Sequence, residues 1–314
     1  MTETVYVKAE DREKLRVKHL AMEPSLQGKT VSFRLDNQSI KIRLPAFSPG
    51  AKWSEDLEAE ADTWETKTGN ILSVYIYAVH IAIENLTFAI PTTAAQHGSV
   101  NMSLFSPAER EILDKRSDDL YLLARRALDR WIGIVRWTTG MALADVDNRP
   151  VSASLDGGRL FNLDDGGKFY SPRIPRTVKV LGRTTLTPQT WQAITDALAN
   201  DEIPPIWNEY FASSQRRVEA IDLRAGVIDM AIAAEATIKQ YPHVSKTKRD
   251  KKMSVILDKW DQFGFPPAGP WLSDLKTLNQ VRNYIMHRGD EKQVDPALCK
   301  RSLAAVKNLI GLLT

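Results

Sequence analysis

The stretch LNQVRNYIMHRGD, residues 278–290, places Arg282, Asn283 and His287 within two helical turns of a chain that holds only five histidines and one cysteine. An imidazole gives or takes a proton near neutral pH, a guanidinium clamps an anionic oxygen, and a carboxamide orients either of them. In a helix Asn283 and His287, four residues apart, share a face, whereas Arg282 lies about 140° round from His287 and has to bend its long side chain to reach it. Arg12 and His19 stand at a similar spacing, but in a charged N-terminal segment and with Glu13 after the arginine. What sets the second pair apart is the asparagine that follows Arg282 and the helical text that leads up to it.

That text reads as an amphipathic helix. In WLSDLKTLNQVRNYIMHRG the residues Leu272, Leu275, Leu278, Val281 and Ile285 recur three or four apart, and Gly289 is placed to end the helix. AIDLRAGVIDMAIAAEATIKQY, from Ala220, is apolar on nearly every face, which predicts a central helix with others around it. Glu235 lies within it, where a carboxylate is costly unless paired, so a bond to Arg282 or to another donor is expected. A last helix begins near Pro296 and carries Leu298, Leu303, Val306 and Ile310.

Upstream the pattern changes. Between Gly28 and Pro49, TVSFRLDNQSIKIRLPAF alternates apolar and polar residues on either side of Asp36 and Asn37, as a half-buried hairpin does. ILSVYIYAVHIAIENLTFAI, from Ile71, is interrupted by His80, Glu84 and Asn85; it is unsuited to a bilayer and reads as consecutive strands. At Ser106 a capping box with Glu109, and Pro107 at the first helical position, open a long helix that ends near Gly140. Two Asp-Gly-Gly turns follow, a hairpin signature, and Thr187 with Pro188 restarts helical text. The expected fold class is therefore α+β: a β-rich region over 1–105, a long helix with a β-hairpin insertion over 106–186, and an α-helical module over 187–314.

The bulk properties narrow the function. A length of 314 residues favours more than one module, and 43% hydrophobic with 26% charged residues is ordinary globular composition. A net charge of +3 is only mildly basic, so a nucleic-acid surface has to be a local patch. The run HVSKTKRDKKMSVILDKW supplies one, with Lys246, Lys248, Arg249, Lys251 and Lys252 able to neutralise phosphates and Trp260 and Phe263 nearby as stacking surfaces. A single Cys299 excludes an intramolecular disulfide and a multi-cysteine metal site, and fits a reducing compartment. It lies on an apolar helical pattern and reads as core. His80, His97 and His243 lack partners at ligand spacing, so neither metal nor cofactor is expected. The opening residues alternate charges where a secretory signal carries an apolar core, which points to the cytoplasm and to no membrane.

Together, VRNYIMHRG near the end of the penultimate helix, the alanine-rich RAGVIDMAIAAEATI, and WQAITDALANDEIPP leading into it resemble the HEPN ribonuclease superfamily, specifically its Apea-like branch. The resemblance covers about residues 187–314; ALDRWIGIVRWTTG and the β-rich region upstream are similar to accompanying parts of such proteins, far less specifically. It implies a mainly α-helical HEPN bundle acting as a homodimer, a metal-independent endoribonuclease serving as a toxin or antiviral effector. Arg282, Asn283 and His287 would be catalytic. Glu235, Tyr284 and Arg288 would support them, RNA would be the substrate, and the β-rich region would receive a phage or regulatory protein. The alternative expectation is a non-catalytic module of the same fold that binds nucleic acid or protein.

Overall fold

The computed structural model describes residues 4–46, 61–65, 71–91, 95–96, 99–100, 105–141, 144–146, 160–161, 168–170, 185–289 and 294–314. The fold is of the α+β class. It divides into two compact units, one of residues 1–139 with 144–202 and one of residues 140–143 with 203–314.

The first unit is built on an antiparallel sheet. Its strands are β1 (Thr4–Met22), β2 (Thr30–Leu35), β3 (Gln38–Arg43), β4 (Ala61–Glu65) and β5 (Ile71–Pro91). Two short pairs follow, β6 (Ala95–Gln96) with β7 (Ser99–Val100), and, after the helix α1 (Pro107–Thr139) and the strand β8 (Asp145–Val146), β9 (Leu160–Phe161) with β10 (Lys168–Tyr170). The sheet runs β2-β3-β5-β1-β8, and β4 also pairs with β5. The expected hairpin is present: Asp36 and Asn37 take φ values of 49° and 64°, and this left-handed two-residue turn has the twist that antiparallel partners need. Val31, Phe33, Ile40 and Ile42 alternate into the core. The Asp-Gly-Gly turns lie outside the described residues, but β9 and β10, which flank the second, pair antiparallel.

The expectation of consecutive strands from Ile71 is corrected, since β5 is one strand of 21 residues. Two of the polar residues that resemble breaks, His80 and Glu84, have cross-strand partners instead. Glu84 lies opposite Ser39, accepts its hydroxyl at 3.2 Å and pairs with Lys41, and the Lys41 bond holds its carboxyl below the ordinary range. Asn85, with φ 60°, lies where β5 carries an extra residue against β1, so the strand bends without ending. Farther along, β1 carries the excess between Arg16 and Leu20, and there Val17 and Lys18 pair with β8.

Helix α1 begins as its sequence requires. The Ser106 N–H donates to Glu109 Oε2 at 2.8 Å and the Glu109 N–H to Ser106 Oγ at 3.3 Å. Its C-terminal half lies on the sheet through Leu128, Trp131, Ile132 and Val135, all fully buried. Each such side chain contributes about 1.5–3 kcal/mol. Helix α2 (Pro188–Ala199) is capped by Thr187 and turns Trp191, Ile194 and Leu198 inward, packing against α1 and β2. This moves the expected boundary at residue 187: α2 belongs with the sheet, and the second unit starts its helices at Ile206. The long helix and its insertion likewise form no separate block.

The second unit is helical, as expected. Helices α3 (Ile206–Glu219) and α4 (Leu223–Gln240) are joined by a sharp connection in which Ile221 is left-handed. They approach closely at Gly226, where an added Cβ would stand 2.9 Å from Val218 Cγ2. Three short helices follow, α5 (Lys246–Arg249), α6 (Met253–Asp258) and α7 (Trp260–Phe263), then α8 (Trp271–Arg288) and α9 (Pro296–Leu313). Helix α4 is central, touching α3, α8 and α9 and burying Val227, Met230, Ala233, Ala234 and Ile238. Its run of alanines is what lets several helices come close at once.

Candidate active site

Helix α8 carries the site. Leu275, Leu278, Val281 and Ile285 bury one stripe in the core, which fixes the rotation of the helix and hence which residues its other faces present. It ends where Gly289, with φ 63°, donates its N–H to the Ile285 carbonyl at 3.1 Å, a conformation a Cβ disfavours.

Arg282 and Asn283 are half-buried beside that stripe, and Arg282 Nη1 donates to Asn283 Oδ1 at 3.0 Å. His287 is exposed one turn on, on the face it shares with Asn283. Arg288 is exposed with its guanidinium 5.3 Å from the ring centre of Tyr284, itself 37% exposed. The structure thus brings Arg282 together with Asn283, and Tyr284 with Arg288. Within one copy of the chain it makes no bond from Arg282 or Asn283 to His287 among the described residues. Arg282 also lines a narrow cleft with Ala231 and Ala234 of α4.

Glu235 differs from expectation in its surroundings, and of the two expected partners it takes a donor other than Arg282. Its side chain is 34% exposed and pairs with Lys239, one turn along α4, rather than with Arg282. The two nevertheless line the same narrow cleft between α4, α6 and α8, together with Asn279 and Met253. Asn279 is a residue the sequence reading passed over. It is 8% exposed and lines that cleft. Its signal was an asparagine inside the apolar stripe, between Leu278 and Val281.

The basic run is not a single loop. Lys246–Arg249 forms the one-turn helix α5, and two of its cations hold local structure: Lys248 Nζ donates to the Phe263 carbonyl at 3.2 Å and lies 5.8 Å from that ring's centre, while Arg249 donates to the Lys239 carbonyl. Lys246, Lys251 and Lys252 are exposed. The aromatic part of the expectation is corrected. Trp260 is 2% exposed, stacks on Phe265 at 4.4 Å and donates its indole N–H to the Pro266 carbonyl at 2.6 Å, so it is core and offers no face to a base. Phe263 is half-buried beneath Lys248.

Cys299 is fully buried, and burial pushes its thiol up, away from the thiolate a nucleophile needs. Among the described residues no helix is long and apolar enough to cross a membrane, and no three His, Cys, Asp or Glu side chains are grouped to hold a metal ion. The chain matches no family model, no curated protein and no solved structure.

Proposed function

We propose that the second unit is a phosphodiester-cleaving module, and more narrowly a metal-independent endoribonuclease of HEPN type. The single observation that carries this is the end of α8, where an exposed His287 shares a face with the asparagine that holds Arg282. In the reaction a base takes the proton of the 2′-hydroxyl, and its oxygen attacks the adjacent phosphorus. The bond to the 5′-oxygen breaks, and an acid protonates that leaving oxygen. The products are a 2′,3′-cyclic phosphate and a 5′-hydroxyl. A guanidinium stabilises the extra charge on the phosphorus oxygens.

One histidine cannot act as base and acid at once, and in one copy Arg282 makes no bond to it. A homodimer with its two-fold axis beside the end of α8 supplies two histidines, two arginines and two asparagines around one phosphate. Lys246, Lys251 and Lys252 then track the RNA backbone. A toxin or antiviral effector in the cytoplasm suits such chemistry, with the β-rich unit receiving the phage or regulatory protein that controls it.

A second reading, a non-catalytic binding module, is favoured by one observation: within one copy Arg282 is bonded to Asn283 and not to His287. Cleavage of RNA in EDTA by the unsubstituted protein and not by His287→Ala supports the enzyme; the binding module has no cleavage to lose.

A further inference from the structure

We infer that the groove along the outer edge of β2 receives an extended segment of a partner protein, which adds a strand to the sheet and carries an acidic residue opposite Arg34. The inference rests on the part of the reading above that gives the β-rich unit a protein to receive, and not on RNA cleavage by the other unit.

Strand β2 stands at the end of the sheet order, with β3 on one side and, among the described residues, no strand on the other. The register says which main-chain groups that leaves. Leu35 and Gln38 close the two-residue turn, and Leu44 donates its N–H to the Lys29 carbonyl at 2.9 Å, so residues 31, 33 and 35 turn their main-chain groups toward β3. Thr30, Ser32 and Arg34 therefore turn theirs outward, where nothing among the described residues bonds them. Such an edge is a template for another strand. A groove of about 780 Å³ runs beside it. Residues 32–35 line it consecutively rather than alternately, so it follows the edge of β2 and not one face of the sheet. The opposite wall is Arg130 of α1, with Leu198 and Asp201 at the end of α2.

The edge selects its occupant. Its outward donors and acceptors repeat at strand spacing, and an extended main chain returns both. A nucleic-acid backbone would bring phosphates against Asp36 and Asp201. A second copy does not fit either, because α2 packs on β2. Two β2 strands paired antiparallel about a two-fold axis lie about 4.8 Å apart, which brings their α2 helices closer than the roughly 8–10 Å that packed helices need.

The walls then set the side chains. Residues paired across a ladder share a face of the sheet. Phe33 faces the helix layer, with the Arg130 guanidinium 5.7 Å from its ring centre, so the residue opposite it meets Phe33 and Leu198 and is apolar. The residues opposite Ser32 and Arg34 face solvent. There Asp36 pairs with Arg126 at 2.6 Å and Asp201 with Arg130, whereas Arg34 is exposed and has no partner among the described residues. An acidic residue opposite Arg34 supplies one.

The test uses the full chain and fluorescent capped hexapeptides in which valine alternates with glutamate, threonine or lysine. Polarisation is expected to show the glutamate peptide binding about fivefold more tightly than the lysine peptide, and Arg34→Glu is expected to reverse that order. N-methylation of the glutamate amides, which face β2, is expected to weaken binding about tenfold or more, and N-methylation of the valine amides to leave it nearly unchanged. That comparison needs no substitution in the protein, so it stands if the variant does not fold. No binding at about 1 mM peptide, equal binding of the three peptides, or equal effects of the two methylations overturns the inference. So does a change of oligomeric state in Arg34→Glu, which assigns the edge to a second copy, or displacement of a fluorescent oligoribonucleotide by the glutamate peptide, which assigns the groove to RNA. Cleavage of RNA is scored separately and bears on the ribonuclease reading alone.

Discussion

Arg282 donates through Nη1 to the Oδ1 of Asn283 at 3.0 Å, so the cation of the motif is held by the residue next to it in the chain. A hydrogen bond to a charged group contributes about 1.5–3 kcal/mol. If that bond presents the guanidinium to a phosphate, Asn283→Ala lowers the rate at saturating RNA by about tenfold to a hundredfold, from about 1.4 kcal/mol per factor of ten. Asn283→Asp, which also accepts from Arg282, is expected to restore much of that loss. A purely structural asparagine would instead show a lower melting temperature and an unchanged rate.

The cations of the basic run should separate into two groups. Replacing Lys246, Lys251 and Lys252 with alanine removes three exposed charges, and the slope of log affinity against log salt for single-stranded RNA should fall by about 2. Lys248→Ala and Arg249→Ala break bonds to the Phe263 and Lys239 carbonyls, so they should lower thermal stability as well. An unchanged salt slope for the triple variant would remove this surface from the RNA path.

Much of this arrangement is legible in the sequence because it is local. The capping box at Ser106, the turn at Asp36 and Asn37, and the C-cap at Gly289 each depend on a few adjacent residues, and each is found. The stripe of α8 is equally readable from its spacing. What the sequence does not carry is the non-local part. Helix α2 looks like the start of the helical module until Trp191, Ile194 and Leu198 are seen to face the first unit's core. Glu84 looks like a strand break until Ser39 stands opposite it and Lys41 pairs with its carboxylate, and Asn85 until β5 is seen to carry an extra residue against β1. Trp260 looks available for stacking until Phe265 covers it. For the same reason the partner of Glu235 and the burial of Asn279 emerge only once α4 and α8 lie side by side.

Gly226 should resist even a methyl group. An alanine Cβ would stand 2.9 Å from Val218 Cγ2, and a β-branched valine has little rotamer freedom to withdraw. Alanine gains about 1 kcal/mol of helix propensity over glycine, whereas overpacking costs about 1–3 kcal/mol. Gly226→Ala is therefore expected to be destabilising by about 1 kcal/mol in chemical denaturation. A stabilised variant would show that α3 and α4 have slack between them.

Two carboxyls on β1 should make stability depend on pH in an uncommon direction. Burial pushes Asp11 above its ordinary 3.8, and burial and the charge of Asp11 push Glu13 above its ordinary 4.5. The folded chain then binds protons that the unfolded chain has lost, so this contribution is fully present below the ordinary values and is lost as pH rises through the folded-state values. Asp11→Asn is expected to raise the denaturation midpoint at neutral pH and to shrink the gain seen on acidification. Glu84, held low by Lys41, acts in the opposite sense, so the difference between variant and parent is the quantity to follow. An equal shift at every pH would contradict the account.

The central claim is that the end of α8 cleaves RNA without a metal. Total cellular RNA is incubated in EDTA with the purified full chain or with His287→Ala, and the new ends are identified. The account predicts cleavage by the unsubstituted protein that leaves 2′,3′-cyclic phosphates and 5′-hydroxyls, and loss of that cleavage in a His287→Ala protein whose oligomeric state is unchanged. Equal cleavage by both proteins, or products ending in 3′-hydroxyls, would contradict it.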